Sequence, residues 1–187
     1  FEAGDHEQLI HMSMRDFSRE TGLSLGALYT YVASKEDLLE MILRQGRVLV
    51  LRILEEAVAR ELSPAARLHA AVRVHLYISE ALQPWFYFSF MEAKNMNRTE
   101  KERTVASEIT TDRIFAEILR EGQAAGAFRP RDPDQSARAI KALLQEWYVK
   151  RWKFAKTEIS VDQYADFVLE ILDAFHLPAP AAAKDTP

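Results

Sequence analysis

The chain has 187 residues, with 24 Lys and Arg against 28 Asp and Glu, a net charge of −4 and no cysteine. That length accommodates one domain or two, and the lack of thiols excludes disulfide and thiolate chemistry and suits a reducing cytoplasm. No apolar run approaches the roughly 18 residues that span a bilayer and no signal peptide stands out, so no membrane partner is expected and the Asn97-Arg98-Thr99 sequon reads as chance.

From Ser13 the chain reads as two short helices around a tight turn. Met14 to Glu20 makes the first, with Phe17 and Ser18 inward; Gly22 supplies the turn and Leu23 is expected to plug the angle. Ser24 caps the second. On it Leu28 and Tyr31, three apart, are expected to face Phe17, while Leu25, Gly26, Ala27, Tyr29 and Thr30 lie outward or at the exposed N-terminal end. Two helices joined by a Gly-containing turn of three or four residues form a helix-turn-helix, whose second helix enters the major groove of DNA. A bare helical bundle with a Tyr-rich face is the competing reading of this stretch.

Ser34 caps a long helix running from Lys35 to about Glu61, with Asp37 completing an approximate capping box. Leu38, Leu39, Ile42 and Leu43 form an apolar stripe near the reading head, and Val50, Leu51, Leu54 and Val58 extend it. Ser63-Pro64 opens a helix to Leu82, carrying Leu68, Val72, His75, Leu76 and Ser79 on adjoining turns. Pro84 starts a short aromatic segment, Trp85 to Met91, broken at Asn95-Met96-Asn97. A long amphipathic helix from Arg98 to Gly126 turns Ile109, Ile114, Phe115, Ile118 and Leu119 inward. Asp132-Pro133-Asp134-Gln135 begins the next, bearing Ile140, Leu143, Leu144, Trp147, Tyr148 and Trp152, and Ser160 to Gln163 is a capping box for the last. Apolar runs alternate with turns at helical lengths and period-two patterning is absent, so the fold class is all-α. The tail 178–187, rich in Pro and Ala, is expected to be disordered.

No catalytic apparatus is legible. His6, His11, His69, His75 and His176 have no metal-ligand spacing, and there is no phosphate-binding Gly loop, nucleophile elbow or HExxH, so neither metal nor cofactor is expected and the chain reads as no enzyme. An all-helical hydrolase or lipid carrier without DNA binding is the alternative class, and neither needs a helix-turn-helix. Rings from Trp85, Phe86, Tyr87, Phe88, Phe90, Phe115, Trp147 and Trp152 exceed what a helical core of this size requires. Either they are packing, or His75, Trp85, Phe86, Phe88, Phe90, Phe115, Trp147, Tyr148 and Arg151 line an apolar pocket with few polar groups.

The run GLSLGALYTYVASKEDLL resembles the DNA-binding domain of the tetracycline-repressor (TetR) family of regulators. Its Gly-Leu-Ser turn, Gly-x-Leu-Tyr-x-Tyr helix and Ser-Lys-Glu-Asp-Leu opening come in the family's order without a gap; Leu25 departs from the usual basic residue or proline, and Val32 from the usual Phe. The resemblance implies an all-α, two-domain transcriptional repressor: a helix-turn-helix domain over 1–45, a ligand-binding and dimerisation domain over 46–177, then the tail. Phe1-Glu2-Ala3-Gly4 resembles the end of the family's first helix, so most of that helix and a basic arm are expected upstream. Residues 1–45 hold four Lys or Arg against eight Asp or Glu, leaving that arm to supply positive charge. DNA contacts fall to Ser13, Ser24, Leu25, Gly26, Ala27, Tyr29, Thr30, Tyr31 and Lys35, the last holding a phosphate at a helix N-terminus. Without Arg or Asn on the recognition helix, strong bidentate base readout is unavailable and shape and thymine-methyl contacts take its place.

The family's last two helices pair with their copies in a second subunit, which assigns a homodimer interface to Ile140, Leu144, Trp152, Tyr164, Phe167, Val168 and Ile171; closing a monomeric core is the other reading of the same residues. A two-fold dimer suits a pseudo-palindromic operator. The effector implied is small and hydrophobic or aromatic, with one polar end, acyl chains and their thioesters among the candidates.

Overall fold

A computed structural model describes residues 12–92 and 98–177. The readings placed on 1–11, on the break at Asn95-Met96-Asn97 and on the tail lie outside the described residues. Those residues form nine helices and no strand: α1 (Met14–Thr21), α2 (Leu25–Tyr31), α3 (Lys35–Ala59), α4 (Pro64–Ala81), α5 (Gln83–Glu92), α6 (Arg98–Ala124), α7 (Pro133–Val149), α8 (Arg151–Thr157) and α9 (Val161–His176).

Most starts are set by local hydrogen bonds that satisfy orphan helix N–H groups. The Oγ of Ser13, Ser24, Ser34, Ser63 and Ser160 each accepts the N–H three residues on, and Asp132 accepts from both Asp134 and Gln135. Ser13 with Asp16, and Ser160 with Gln163, close full capping boxes. Gly22 ends α1 at φ 71°, a left-handed conformation that a side chain resists.

Met14, Phe17, Leu28, Val32 and Leu38 bury one another where α1, α2 and the first turn of α3 meet. Two expectations fail here. Tyr31 is 79% exposed rather than facing Phe17: α2 ends at Tyr31, Val32 takes extended angles (φ −139°, ψ 141°), and Val32 turns into the cluster instead. Leu23 is exposed rather than plugging the turn, which Ser18 braces by donating its hydroxyl to the Leu23 carbonyl.

The larger core joins Leu54 of α3, Leu68, Val72 and Leu76 of α4, Phe115 and Leu119 of α6, Ile140, Leu144 and Trp147 of α7, and Val168 and Leu172 of α9. The single helix expected from Pro133 past Trp152 is two, broken at Lys150 (φ −119°, ψ 36°). The break folds Phe154 back onto Trp147, with ring centroids 4.7 Å apart, and Tyr164 completes a three-ring cluster, 5.3 Å from Trp147 and 4.7 Å from Phe154. Along one edge α4 is pinned to α9 by His69–Asp173 (2.7 Å), Arg73–Asp166 (2.6 Å) and Tyr77–Asp162 (2.6 Å). Such solvent-facing pairs are worth about 0–1 kcal/mol each, so they set register more than stability.

Candidate functional site

The first candidate surface is the α1–α2 head. Ser13, Ser24, Gly26, Tyr29, Thr30 and Tyr31 are exposed on it, while Leu25, Ala27 and Lys35 are half-buried. Leu25 packs against the small cluster, which removes part of it from the outward face assigned to it. Three polar groups already have work: Ser13 and Ser24 cap helices, and the Thr30 hydroxyl donates to the Ala27 carbonyl at 2.6 Å. Tyr29 and Tyr31 therefore offer the largest free area.

The second is a cleft of about 340 Å³ lined by α3, α4, α5, α6 and α7 and open to solvent on one side, at the small end of ligand-site volumes. Val50, Trp85, Phe86, Phe90, Val105, Ile109 and Tyr148 form its apolar wall. Of the pocket residues expected from sequence, His75, Trp85, Phe86, Phe90 and Tyr148 line it. Phe88, Phe115, Trp147 and Arg151 do not. Phe115 and Trp147 fill the main core, and Arg151 forks onto Glu80, with two bonds of 3.0 Å, while its guanidinium lies 4.6 Å over the Trp147 ring. The Trp147 indole N–H also donates to Glu80, so the trio braces α4 against α7 and α8. Phe88 is buried off the cavity wall. Ile109, expected inward, is exposed and borders the cavity.

Beyond His75 and Tyr148, the charged and hydroxyl lining was missed by sequence reasoning. Arg47, Thr111 and Lys141 are all buried there, beside Glu108 and Asp112. A signal existed: Arg47 falls in the seam Leu43, Arg47, Val50, Leu54, spaced four, three and four, and Lys141 adjoins Ile140 and Leu144 on a buried face. Charged residues at such positions are almost never buried without a partner. Arg47 reaches Glu100 at 2.8 Å, and Glu100 in turn takes Arg103 at 2.7 Å, which also pairs with Glu40. Lys141 Nζ lies 3.2 Å from His75 Nε2 and 3.5 Å from Glu108. Burial, and secondarily the Lys141 cation, hold the His75 imidazolium pKa well below its ordinary value, so His75 is neutral. Burial raises the Asp112 carboxyl, while Arg103, Arg47 and Glu40 bonds keep Glu100 low against its desolvation.

Residues assigned to a dimer interface divide sharply. Ile140, Leu144, Tyr164 and Val168 are buried in the subunit's own core, because α7 and one face of α9 close that core. Trp152, Phe167 and Ile171 are exposed; on α9, Phe167, Ile171 and Phe175 fall four apart and make an apolar strip that flanks the buried face. Among the described residues no helix is long and apolar enough to cross a membrane.

A helix-turn-helix head joined by one long helix to an all-α unit that holds a cavity is the build of a one-component regulator, and the sequence comparisons place it. The chain belongs to the tetracycline-repressor family of DNA-binding transcriptional regulators: the family profile "Tetracyclin repressor-like, C-terminal domain" matches residues 61–172. The HTH-type transcriptional repressor KstR2 of Mycolicibacterium smegmatis is 27% identical over 175 residues, spanning 86% of this chain and 78% of its own. Two solved structures share the fold. The ketosteroid transcriptional regulator KstR2 of Mycobacterium tuberculosis superposes with a TM-score of 0.77 at 20% identity, covering 93% of this chain and 89% of its own. AibR in complex with isovaleryl coenzyme A and operator DNA does so at 0.73 and 19% identity, covering 87% and 88%.

Proposed function

We propose that the protein is a cytoplasmic, ligand-released repressor, not an enzyme, which binds a pseudo-palindromic operator as a homodimer. Residues 1–45 read DNA, chiefly through Tyr29 and Tyr31, and residues 46–177 bind the effector and the second subunit, the latter through Trp152, Phe167 and Ile171. The observation that carries this reading is the place of the cavity against α3. Trp85 and Arg47 both line it, the Trp85 indole donates to the Ile42 carbonyl at 3.3 Å, and Ile42 packs on the reading-head cluster. A ligand that displaces Trp85 acts on the same helix that carries the head. A small, mostly apolar effector with one polar end fits the lining, and AibR holds an acyl thioester in this fold.

For a near-complete switch the effector must prefer the released state by about 5 kcal/mol. The test is a ligand screen on the full-length protein, read together by tryptophan fluorescence and by release from operator DNA. Apolar ligands that bind but leave operator affinity unchanged would defeat the sensor reading while leaving the regulator assignment intact.

A further inference from the structure

The polar end of the cavity has hydrogen-bond donors to spare and no positive charge to spare. Arg47, 8% exposed, commits Nη2 to Glu100, yet its Nη1 is buried with no hydrogen-bond partner among the described residues. Lys141, 6% exposed, directs one proton at His75 Nε2 and another at Glu108, and an ammonium carries three. His75 is neutral, so its Nε2 accepts from Lys141 and consumes no charge. Glu108 offsets Lys141, and Glu100 with Glu40 offsets Arg47 with Arg103. Asp112 adds a further carboxyl to the wall. A carboxylate entering here would be stripped of water beside Glu108 and Asp112 with no unpaired cation to meet it. An uncharged acceptor brings no charge to set against those carboxyls and can take the spare Lys141 proton.

We propose that the effector is recognised through an uncharged carbonyl oxygen, that of an ester, thioester, amide or ketone, accepting from Lys141 Nζ, and that the site rejects the matching free carboxylate. Arg47 lines the same cavity, and its buried Nη1 has no hydrogen-bond partner among the described residues. This rests on the reading of the cavity as the effector site and narrows it to one functional group. His75 is a positioning residue: it orients the Lys141 ammonium and touches the ligand through its edge of the wall only.

The experiment compares four probes of matched chain on the full-length protein: ethyl hexanoate, the S-ethyl thioester of hexanoic acid, sodium hexanoate, and the carbonyl-free ethyl hexyl ether. Affinities are read by titration calorimetry and tryptophan quenching. The ester and thioester are expected to bind at least about tenfold more tightly than both hexanoate and the ether, a difference of about 1.4 kcal/mol. Lys141→Met, close in volume, should bring the ester down to the ether's affinity measured on the same variant, and Lys141→Gln, which keeps a donor, should restore part of the preference. Thermal unfolding confirms that both variants fold. Equal binding of ester and ether would sink the carbonyl inference and leave the cavity reading standing, as would hexanoate binding best or an ester preference that survives Lys141→Met. Failure of all four probes to bind would overturn the cavity reading and this inference with it.

Discussion

The indole of Trp85 lies across Gly46 so closely that a Cβ added to Gly46 would stand 2.2 Å from two of its ring atoms. Only glycine lets α5 press this near to α3, one turn beyond Ile42 of the reading-head cluster and next to Arg47. Gly46→Ala sets two effects against each other. Alanine favours the helix by about 1 kcal/mol, but overpacking typically costs about 1–3 kcal/mol, so the variant should be less stable than the parent. With Trp85→Ala already in place the clash is gone, and the same change should stabilise by about 1 kcal/mol. Denaturant unfolding of the four proteins measures the cycle; a Gly46→Ala effect of one sign in both backgrounds would mean the ring does not press on α3.

The reading head separates binding from stability. Tyr31 is largely exposed, so Tyr31→Ala should leave unfolding within about 0.5 kcal/mol of the parent. Operator affinity should nonetheless fall. Ser24→Ala should cost both, since it removes the α2 cap at about 1 kcal/mol. Electrophoretic shifts on the full-length protein, with melting curves alongside, decide this, and a Tyr31→Ala protein that binds DNA like the parent moves the reading surface elsewhere.

What was legible in the sequence was local. The caps at Ser13, Ser24, Ser34, Ser63, Asp132 and Ser160 bond within three residues, so residue type and spacing suffice to find them. Tyr31 and Leu23 were misplaced by local backbone at the end of α2 and in the turn before it, but the misreadings of the site are non-local. Trp147 resembled a pocket ring until Phe154 folded back on it from beyond an unanticipated break, and Glu80, 67 positions away, claimed its N–H. Arg47 and Lys141 broke apolar seams in plain view, but their partners Glu100 and His75 lie 53 and 66 residues off, and a seam alone does not say what faces it. Periodicity marks α9 as apolar on two sides; only the packing of α4 and α7 shows which side is already spent.

That division of α9 makes the interface testable. Phe167, 57% exposed, and Ile171 sit outside the core, so Phe167→Glu with Ile171→Glu should turn a dimer into a folded monomer. Val168, one residue along and fully buried, is the control: Val168→Glu leaves an unpaired charge in the core, costs several kcal/mol, and should unfold the chain. The same holds for Trp147→Glu. Sedimentation and circular dichroism distinguish these outcomes, and a double variant that stays dimeric removes the strip from the interface.

Buried histidine gives stability a pH dependence of known sign. His75 has its pKa held well below the ordinary 6.5, by burial first and Lys141 second, and His176 is lowered by burial and then by Arg131. Between those depressed folded values and about 6.5 the unfolded chain binds more protons than the native one, so stability is fully present above pH 6.5 and is lost as pH falls. Carboxylates held low, Asp16, Glu100 and Glu146, add their loss only below their ordinary range of 3.8 to 4.5, and Asp112, raised by burial, acts in the opposite direction from its own shifted value downward. The window from about pH 6.5 down to 5 thus belongs mainly to the two histidines. The melting temperature should fall across that window. His75→Gln keeps an acceptor for Lys141 but cannot titrate, so its melting temperature should decline less steeply across the window, with His176 accounting for most of the remaining slope. Calorimetric melts of parent and variant at half-unit steps make the comparison, and parallel slopes would show that His75 takes up its proton in the native protein as readily as in the unfolded chain.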